Sequence, residues 1–223
     1  MFNKPFVHVL PRLAGIILLF AACGCHITGL LPGTRAESLN REAAAPDSMS
    51  GKIVETLGIS RGMIIADIGS GGGFFTYLFA QKTGPEGKVY AVDVDRDALA
   101  LIGKTATGMG LANITTIQAQ ESDSRLGMDQ VDLVFMRNVY HELPDQLNYF
   151  RTLLPALKEN GRIAIIEYKD PGGISHVSLF GHYTPEERIL ETMHNAGYVR
   201  IQRYDFPPRQ SFNIFRPAKR DSR

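Results

Sequence analysis

The feature that most constrains this chain is a glycine-rich stretch, Ala66–Thr76 (ADIGSGGGFFT), which lies between an apolar run and a helical pattern. The run before it (GMII) is short and β-prone, and Phe75, Leu78 and Phe79 after it recur at helical spacing. Glycine permits positive φ and close approach of a ligand to the backbone, and a following helix offers N–H groups at its amino end. The stretch therefore predicts a strand, a glycine turn and a helix that bind a nucleoside cofactor.

The order of residues in this turn separates two kinds of cofactor. The dinucleotide fingerprint G-x-G-x-x-G requires glycine where this chain has Phe74. The order D-x-G-x-G-x-G, which begins at Asp67, resembles motif I of class I S-adenosylmethionine (SAM)-dependent methyltransferases. A nicotinamide-dependent oxidoreductase and a non-catalytic SAM-binding module are the alternatives. The resemblance implies SAM as the cofactor, with its methionyl part against Asp67, Gly69, Ser70, Gly71 and Gly73.

Two further strand ends supply candidate cofactor contacts. Lys88–Asp93 is an apolar strand that ends in an acid, and Asp93 lies 20 residues after Gly73. A carboxylate at about this spacing binds ribose hydroxyls in βαβ nucleotide sites, so we predict this role for Asp93. Asn113–Ala119 is predicted as the third strand. The resemblance implies that Gln120 or Glu121, just after it, meets the adenine amine.

An unusually polar segment follows the fourth predicted strand, Val131–Met136. Because the carboxyl ends of strands line the ligand crevice in doubly wound sheets, we expect this segment to face the site. Its polar residues are Arg137, Asn138, Tyr140, His141 and Glu142. His141 is either a general base, for which its ordinary pKa near 6.5 is suitable, or simply a residue that opens the next helix. Tyr140 would orient the acceptor and Asn138 would contact the cofactor, and the resemblance adds His182 as a second candidate base.

The remaining pattern predicts the fold class. Gly161–Glu167 is a fifth strand, and Tyr198–Tyr204 and Phe212–Arg216 resemble the antiparallel sixth and seventh strands of the methyltransferase fold. We therefore expect an α/β, doubly wound, Rossmann-like sheet of seven mostly parallel strands with one antiparallel strand and helices on both faces. The domain is predicted to span residues 49–217.

The amino-terminal segment, residues 1–32, is predicted to be a signal or an anchor. A charged start precedes the apolar run Leu13–Cys23, and Phe20–Cys23 resembles a bacterial lipobox. An uncleaved anchor is the alternative, and both versions predict export or membrane association, with a cytosolic location of the domain left open. Residues 33–48 are predicted as a linker and lead-in helix, and residues 218–223 as a basic tail.

Composition limits the reaction and the partners. The net charge of +1 gives no global attraction for nucleic acid. The only cysteines are Cys23 and Cys25, so the domain has no disulfide, no thiol nucleophile and no CxxC metal site. We therefore expect methyl transfer from SAM to a small-molecule or lipid-like acceptor.

Overall fold

The computed structural model describes residues 34–128, 130–169 and 183–218. The predicted signal or anchor segment with Cys23, most of the basic tail, and His182 lie outside the described residues, and the expectations for them stay predictions. Within the described ranges, no helix is both long enough and apolar enough to span a bilayer.

The core of the protein is a seven-stranded sheet in the order β3-β2-β1-β4-β5-β7-β6. The strands are β1 (Ile64–Ile68), β2 (Lys88–Asp93), β3 (Ile114–Gln118), β4 (Val131–Arg137), β5 (Leu157–Tyr168), β6 (Tyr198–Tyr204) and β7 (Gln210–Pro217). Strand β7 runs antiparallel to both of its neighbours, and the other pairs are parallel. The predicted fold with one reversed strand is confirmed.

Helices cover both faces of this sheet. They are α1 (Arg35–Ala44), α2 (Ser50–Thr56), α3 (Phe74–Thr83), α4 (Arg96–Gly108), α5 (Gln146–Leu153) and α6 (Glu186–Asn195). In β4, Leu133 and Phe135 pack in one core with α2 and α3, while Val134 and Met136 pack in another with α5 and α6. This alternation is the two-residue period of a strand buried on both faces.

Helix α1 begins at a capping box and packs on the sheet domain. The Oγ1 atom of Thr34 accepts the backbone N–H of Glu37 at 3.2 Å, and a carboxylate oxygen of Glu37 accepts the N–H of Thr34 at 2.8 Å. Asn40 on the same helix bonds to the glycine turn before α3. Residues 35–44, within the segment predicted as a linker and lead-in helix, are thus helical and bond to the folded domain.

The chain between β4 and β5 is more broken than the sequence suggests. A single helix from His141 to Leu157 is one expectation, but 3-10 turns at Tyr140–Glu142 and Leu154–Ala156 flank α5 instead. Pro144 and Pro155 account for the breaks, because proline cannot continue a helix from within. Strand β5 begins at Leu157, and its pairing with β4 shifts register between Val131 and Leu133.

Candidate cofactor-binding site

A cleft of about 460 Å³ opens at the carboxyl ends of β1, β2 and β4, with α1 along one side. This is where the strand order reverses between β1 and β4, the usual ligand position in an open α/β sheet. Eight residues predicted as cofactor contacts line it: Asp67, Gly69, Ser70, Gly71, Asp93, Gln120, Glu121 and Asn138. The sequence therefore identified the cofactor side of the cleft, although the role of each residue stays a prediction.

Two glycines of the turn have different roles. Gly69 lines the cleft at φ 70°, and a Cβ there would lie 2.1 Å from Cγ2 of Val139. Gly73, at φ 87°, is not among the cleft-lining residues, and a Cβ on it would come within 2.7 Å of the Tyr77 ring and 2.8 Å of Ile102. Contact between Gly73 and the cofactor therefore stays a prediction. The lack of a side chain at Gly73 allows the start of α3 to pack closely.

Asp93 joins the end of β2 to the glycine turn. Its Oδ2 accepts the N–H of Gly71 at 2.8 Å and its Oδ1 accepts the N–H of Asp95 at 3.0 Å. A carboxylate has about four acceptor positions, so positions remain for the hydroxyls of a ligand. This arrangement fits a ribose diol beside the turn.

Asp67 lies at the floor of the cleft and is only 3% exposed. The hydroxyl of Thr76 donates to its Oδ2 at 2.6 Å. Burial raises the pKa of Asp67 from 3.8 to about 7, opposed by the hydrogen bond from Thr76 and reinforced by the charge of Asp93. A buried carboxyl with this pKa fits a positively charged ligand group, because such a group would favour its ionised form.

Two other cleft residues have polar groups that suit a nucleoside ligand. The Oγ of Ser70 is buried and has no hydrogen-bond partner among the described residues. Gln120 exchanges backbone hydrogen bonds with Asp123 at 2.9 and 3.1 Å, and this tight turn holds Gln120 and Glu121 at the rim. Together with Asp67, Asp93 and the glycine turn, these groups fit the charges and hydroxyls of SAM.

Asn40 of α1 lines the cleft and is not among the predicted site residues. Its Nδ2 donates to the carbonyl of Gly72 at 2.8 Å, and its Oδ1 accepts the N–H of Phe74 at 3.0 Å. In dinucleotide sites the pyrophosphate binds such N–H groups at the helix start. Here Asn40 already occupies the first of them, which argues against a dinucleotide. The sequence predicts a lead-in helix in this segment, and the capping box at Thr34 marks where it begins.

Tyr140 does not face the cleft, and this part of the sequence prediction is wrong. Its side chain is fully buried and stacks on Phe150 of α5, with ring centroids 5.6 Å apart. Asn138 causes the difference, because its left-handed conformation (φ 56°) and the 3-10 turn after it redirect the chain towards α5. Asn138 itself lines the cleft, and its Oδ1 accepts a hydrogen bond from the side chain of Gln210.

His141 forms a buried pair with Glu167 at the end of β5. Its Nδ1 lies 3.0 Å from Oε1 of Glu167; the His141 side chain is 9% exposed and that of Glu167 is fully buried. Burial opposes the charged imidazole, but the hydrogen bond and charge of Glu167 outweigh it and raise the pKa of His141 above 6.5. His141 is not among the residues that line the cleft. Its role as a general base stays a prediction, as does that of His182.

The His141–Glu167 pair predicts that the free energy of unfolding depends on pH. A histidine whose pKa is higher in the folded state contributes stability below its unfolded pKa, and this is lost as the pH rises through the folded pKa. Glu167→Gln should therefore lower the free energy of unfolding more at about pH 5 than at about pH 8, by about 1–3 kcal/mol at the lower pH. Urea titrations of both proteins at the two pH values measure the difference. Glu86→Gln is the matched control, since Glu86 is exposed and bonds Arg61. An equal loss from Glu167→Gln at both pH values would contradict the argument.

Comparison with known proteins agrees with this geometry. A family described as "Methyltransferase domain" matches residues 59–201. The ubiquinone/menaquinone biosynthesis C-methyltransferase UbiE of Idiomarina loihiensis is 25% identical over 134 residues, which cover 59% of this chain and 53% of that protein. UbiE of Ectopseudomonas mendocina is 29% identical over 136 residues, which cover 59% and 52%. The chain thus spans about half the length of these curated relatives.

A solved structure shows the same fold. The SAM-dependent methyltransferase from Aquifex aeolicus superposes with a TM-score of 0.68 at 23% identity, covering 80% of this chain and 96% of that one. The family match extends from before β1 into β6 and so includes the glycine turn, Asp93 and the end of β4. The chain therefore belongs to the methyltransferase-domain family, in the class I fold whose cofactor is SAM.

Proposed function

We propose that this protein transfers a methyl group from SAM to a small or lipid-like organic acceptor, with carbon as the methylated atom. The observation that carries the proposal is the hydrogen bond from the N–H of Gly71 to the carboxylate of Asp93. It holds the glycine turn beside a carboxylate that still has acceptor positions for a ligand, and both line the cleft. The relatives named as C-methyltransferases support carbon as the acceptor atom. They are matched over about half their length, so acceptor and atom belong to this proposal.

Different residues of the cleft would hold different parts of the cofactor. SAM carries its methyl group on a positively charged sulfur. When the methyl group is transferred, this sulfur leaves readily as a neutral thioether. Asp93 would accept hydrogen bonds from the ribose, and Gln120 or Glu121 would meet the adenine. Asp67, Ser70 and the backbone of Gly69 and Gly71 would hold the methionyl part. The chain's main contribution is to align donor and acceptor for in-line attack.

A proton must leave a carbon acceptor after the new bond forms, so the reaction needs a base to receive it. We propose the His141–Glu167 pair, because a carboxylate that holds Nδ1 orients the ring and stabilises its protonated form. His182 is the second candidate. Tyr140 is not part of this proposal, since its ring belongs to the core.

Asp93→Ala tests the cofactor site directly. The change removes the acceptor for Gly71 N–H and the proposed ribose contact, so we expect SAM affinity to fall by about 1–3 kcal/mol, or roughly five- to 150-fold. Isothermal titration calorimetry with SAM measures the loss. Asp97→Ala is the matched control, because Asp97 is an exposed residue in the first turn of α4.

The outcomes separate the candidate functions. Unchanged SAM affinity in Asp93→Ala would contradict the ribose assignment. Labelled methyl groups that pass from SAM into an extracted small molecule would support the proposed reaction. SAM binding without any methylated product from a range of extracts would favour the non-catalytic SAM-binding module instead.

A further inference from the structure

A second cleft of about 530 Å³ lies beside the cofactor cleft. It is bounded by the 3-10 turn Pro46–Ser48, the ends of β4 and β5, and the segment that leads into β7. Arg137 and Glu42 line both clefts, so these two side chains form the boundary between them. A molecule in the second cleft would therefore lie next to the cofactor.

Arg137 at this boundary is a largely buried cation bonded only to neutral groups. Its Nη1 donates to Oγ of Ser50 at 3.1 Å, and its Nη2 donates to the carbonyl of Ser48 at 3.0 Å and to Oε1 of Gln210 at 3.1 Å. Among residues 34–128, 130–169 and 183–218, its Nε is buried without a hydrogen-bond partner, and no carboxylate oxygen lies within 4.0 Å of the guanidinium. A buried charge without a counter-charge is unfavourable, so this position favours an anion.

The two carboxylates that line the second cleft, Glu42 and Asp47, interact with other groups. The hydroxyl of Tyr168 donates to Oε1 of Glu42 at 2.6 Å, and Nη2 of Arg209 lies 3.6 Å from Oδ2 of Asp47. Burial lowers the pKa of Arg137, and the negative charges of Glu42 and Asp47 partly offset this effect. Arginine stays protonated in proteins even so, and its planar N–H groups suit carboxylate and other anionic oxygens.

We propose that the second cleft holds the methyl acceptor and that Arg137 binds an ionised oxygen of it, either a carboxylate or a phenolate. This inference rests on the proposed function, since it places the acceptor beside bound SAM. Arg137 would act by position: it would hold the anionic end of the acceptor so that the rest of the molecule reaches the cofactor cleft. For a carbon acceptor, an ionised oxygen conjugated to that carbon also raises its nucleophilicity.

The test measures binding of small anions to the full chain by NMR titration, with and without saturating SAM. Benzoate and 4-nitrophenolate are the probes, and benzamide is the neutral analogue. We expect saturable binding of at least one anion, weakened at least tenfold in Arg137→Gln, with benzamide unaffected by the substitution. Arg203→Gln is the control for net charge, because Arg203 lies on β6 and pairs with Glu186.

A second variant keeps the test decisive if Arg137→Gln fails to fold. Gln210→Glu places a carboxylate against Nη2 of Arg137, so it should compete with the ligand and weaken anion binding at least tenfold. Saturable binding that is equal in wild type and both variants, or no binding of either anion, would overturn the inference. SAM titration of the same samples separates the two proposals. If the wild type binds SAM but neither anion, only this inference is refuted. If the wild type does not bind SAM, the proposed function is refuted.

Discussion

Asp67→Asn should abolish the pH dependence of SAM affinity and reduce that affinity above neutral pH. In the wild type, the carboxyl is largely protonated below its pKa of about 7 and ionised above it. A positively charged ligand group binds the ionised form better, so wild-type affinity should fall as the pH drops through about 7. The neutral amide cannot ionise. We expect the variant to bind SAM roughly ten- to 100-fold more weakly at about pH 8, which is the range for a lost charged hydrogen bond.

The same substitution should stabilise the protein without ligand. A carboxyl whose folded pKa is raised contributes stability fully below its unfolded pKa, and this is lost as the pH rises through the folded pKa. A pKa of about 7 in place of 3.8 corresponds to about 4 kcal/mol, so the variant's advantage should grow from near zero at about pH 4 to at most this amount above pH 7. Thermal melts across this range measure it.

Thr76→Val provides the matched comparison for Asp67→Asn. It keeps the carboxyl but removes the hydrogen bond that lowers its pKa, so the fall in SAM affinity should move to higher pH. The explanation would be refuted if Asp67→Asn bound SAM like the wild type at about pH 8, or if its melting temperature showed the same pH dependence as that of the wild type.

Gly69→Ala should destabilise the domain and remove most SAM binding. The left-handed backbone costs a residue with a Cβ about 1–2 kcal/mol, and crowding a packed site costs about 1–3 kcal/mol more. The new methyl would lie 2.1 Å from Cγ2 of Val139, so the turn or the Val139 segment must move. Both line the cleft. At about 2–4 °C per kcal/mol for a chain of this size, we expect the melting temperature to fall by roughly 5–15 °C.

Two further variants divide this loss into its causes. Gly58→Ala has a similar φ of 58° but no atom within 4 Å of the added Cβ, so it reports the backbone cost alone. Val139→Ala in the Gly69→Ala background removes the methyl that clashes and should restore part of the stability and of the SAM binding. A loss no larger than that of Gly58→Ala, or no recovery in the double variant, would contradict the assigned contact.

The sheet and the glycine turn could be predicted because their signals are local. A short apolar run, a glycine cluster and a helical period lie within about 20 residues of one another, and each restricts the backbone directly. The acid at the end of β2 follows from the same unit, since β1 and β2 are adjacent and parallel. Asp67 and Asp93 could therefore be placed on the cleft without any tertiary information.

The direction of Tyr140 could not be predicted in this way. It depends on the left-handed backbone of Asn138, which asparagine adopts only occasionally, and on the space between α5 and the sheet. The same turn determines that His141 meets Glu167, a residue 26 positions later in the chain. The second cleft is also non-local, since the antiparallel β7 brings Gln210 to Arg137.

The clamp that Asn40 forms on the glycine turn bears on how short a cofactor-binding fragment of this chain can be. One side chain bonds to both sides of Gly73, so we expect the docking of α1 and the ordering of the turn to occur together. A fragment that starts at Met49 would retain every strand yet leave the N–H of Phe74 and the carbonyl of Gly72 without these partners. We therefore expect a fragment that begins at Thr34, whose side chain starts the helix that carries the clamp, to bind SAM more tightly than one that begins at Met49.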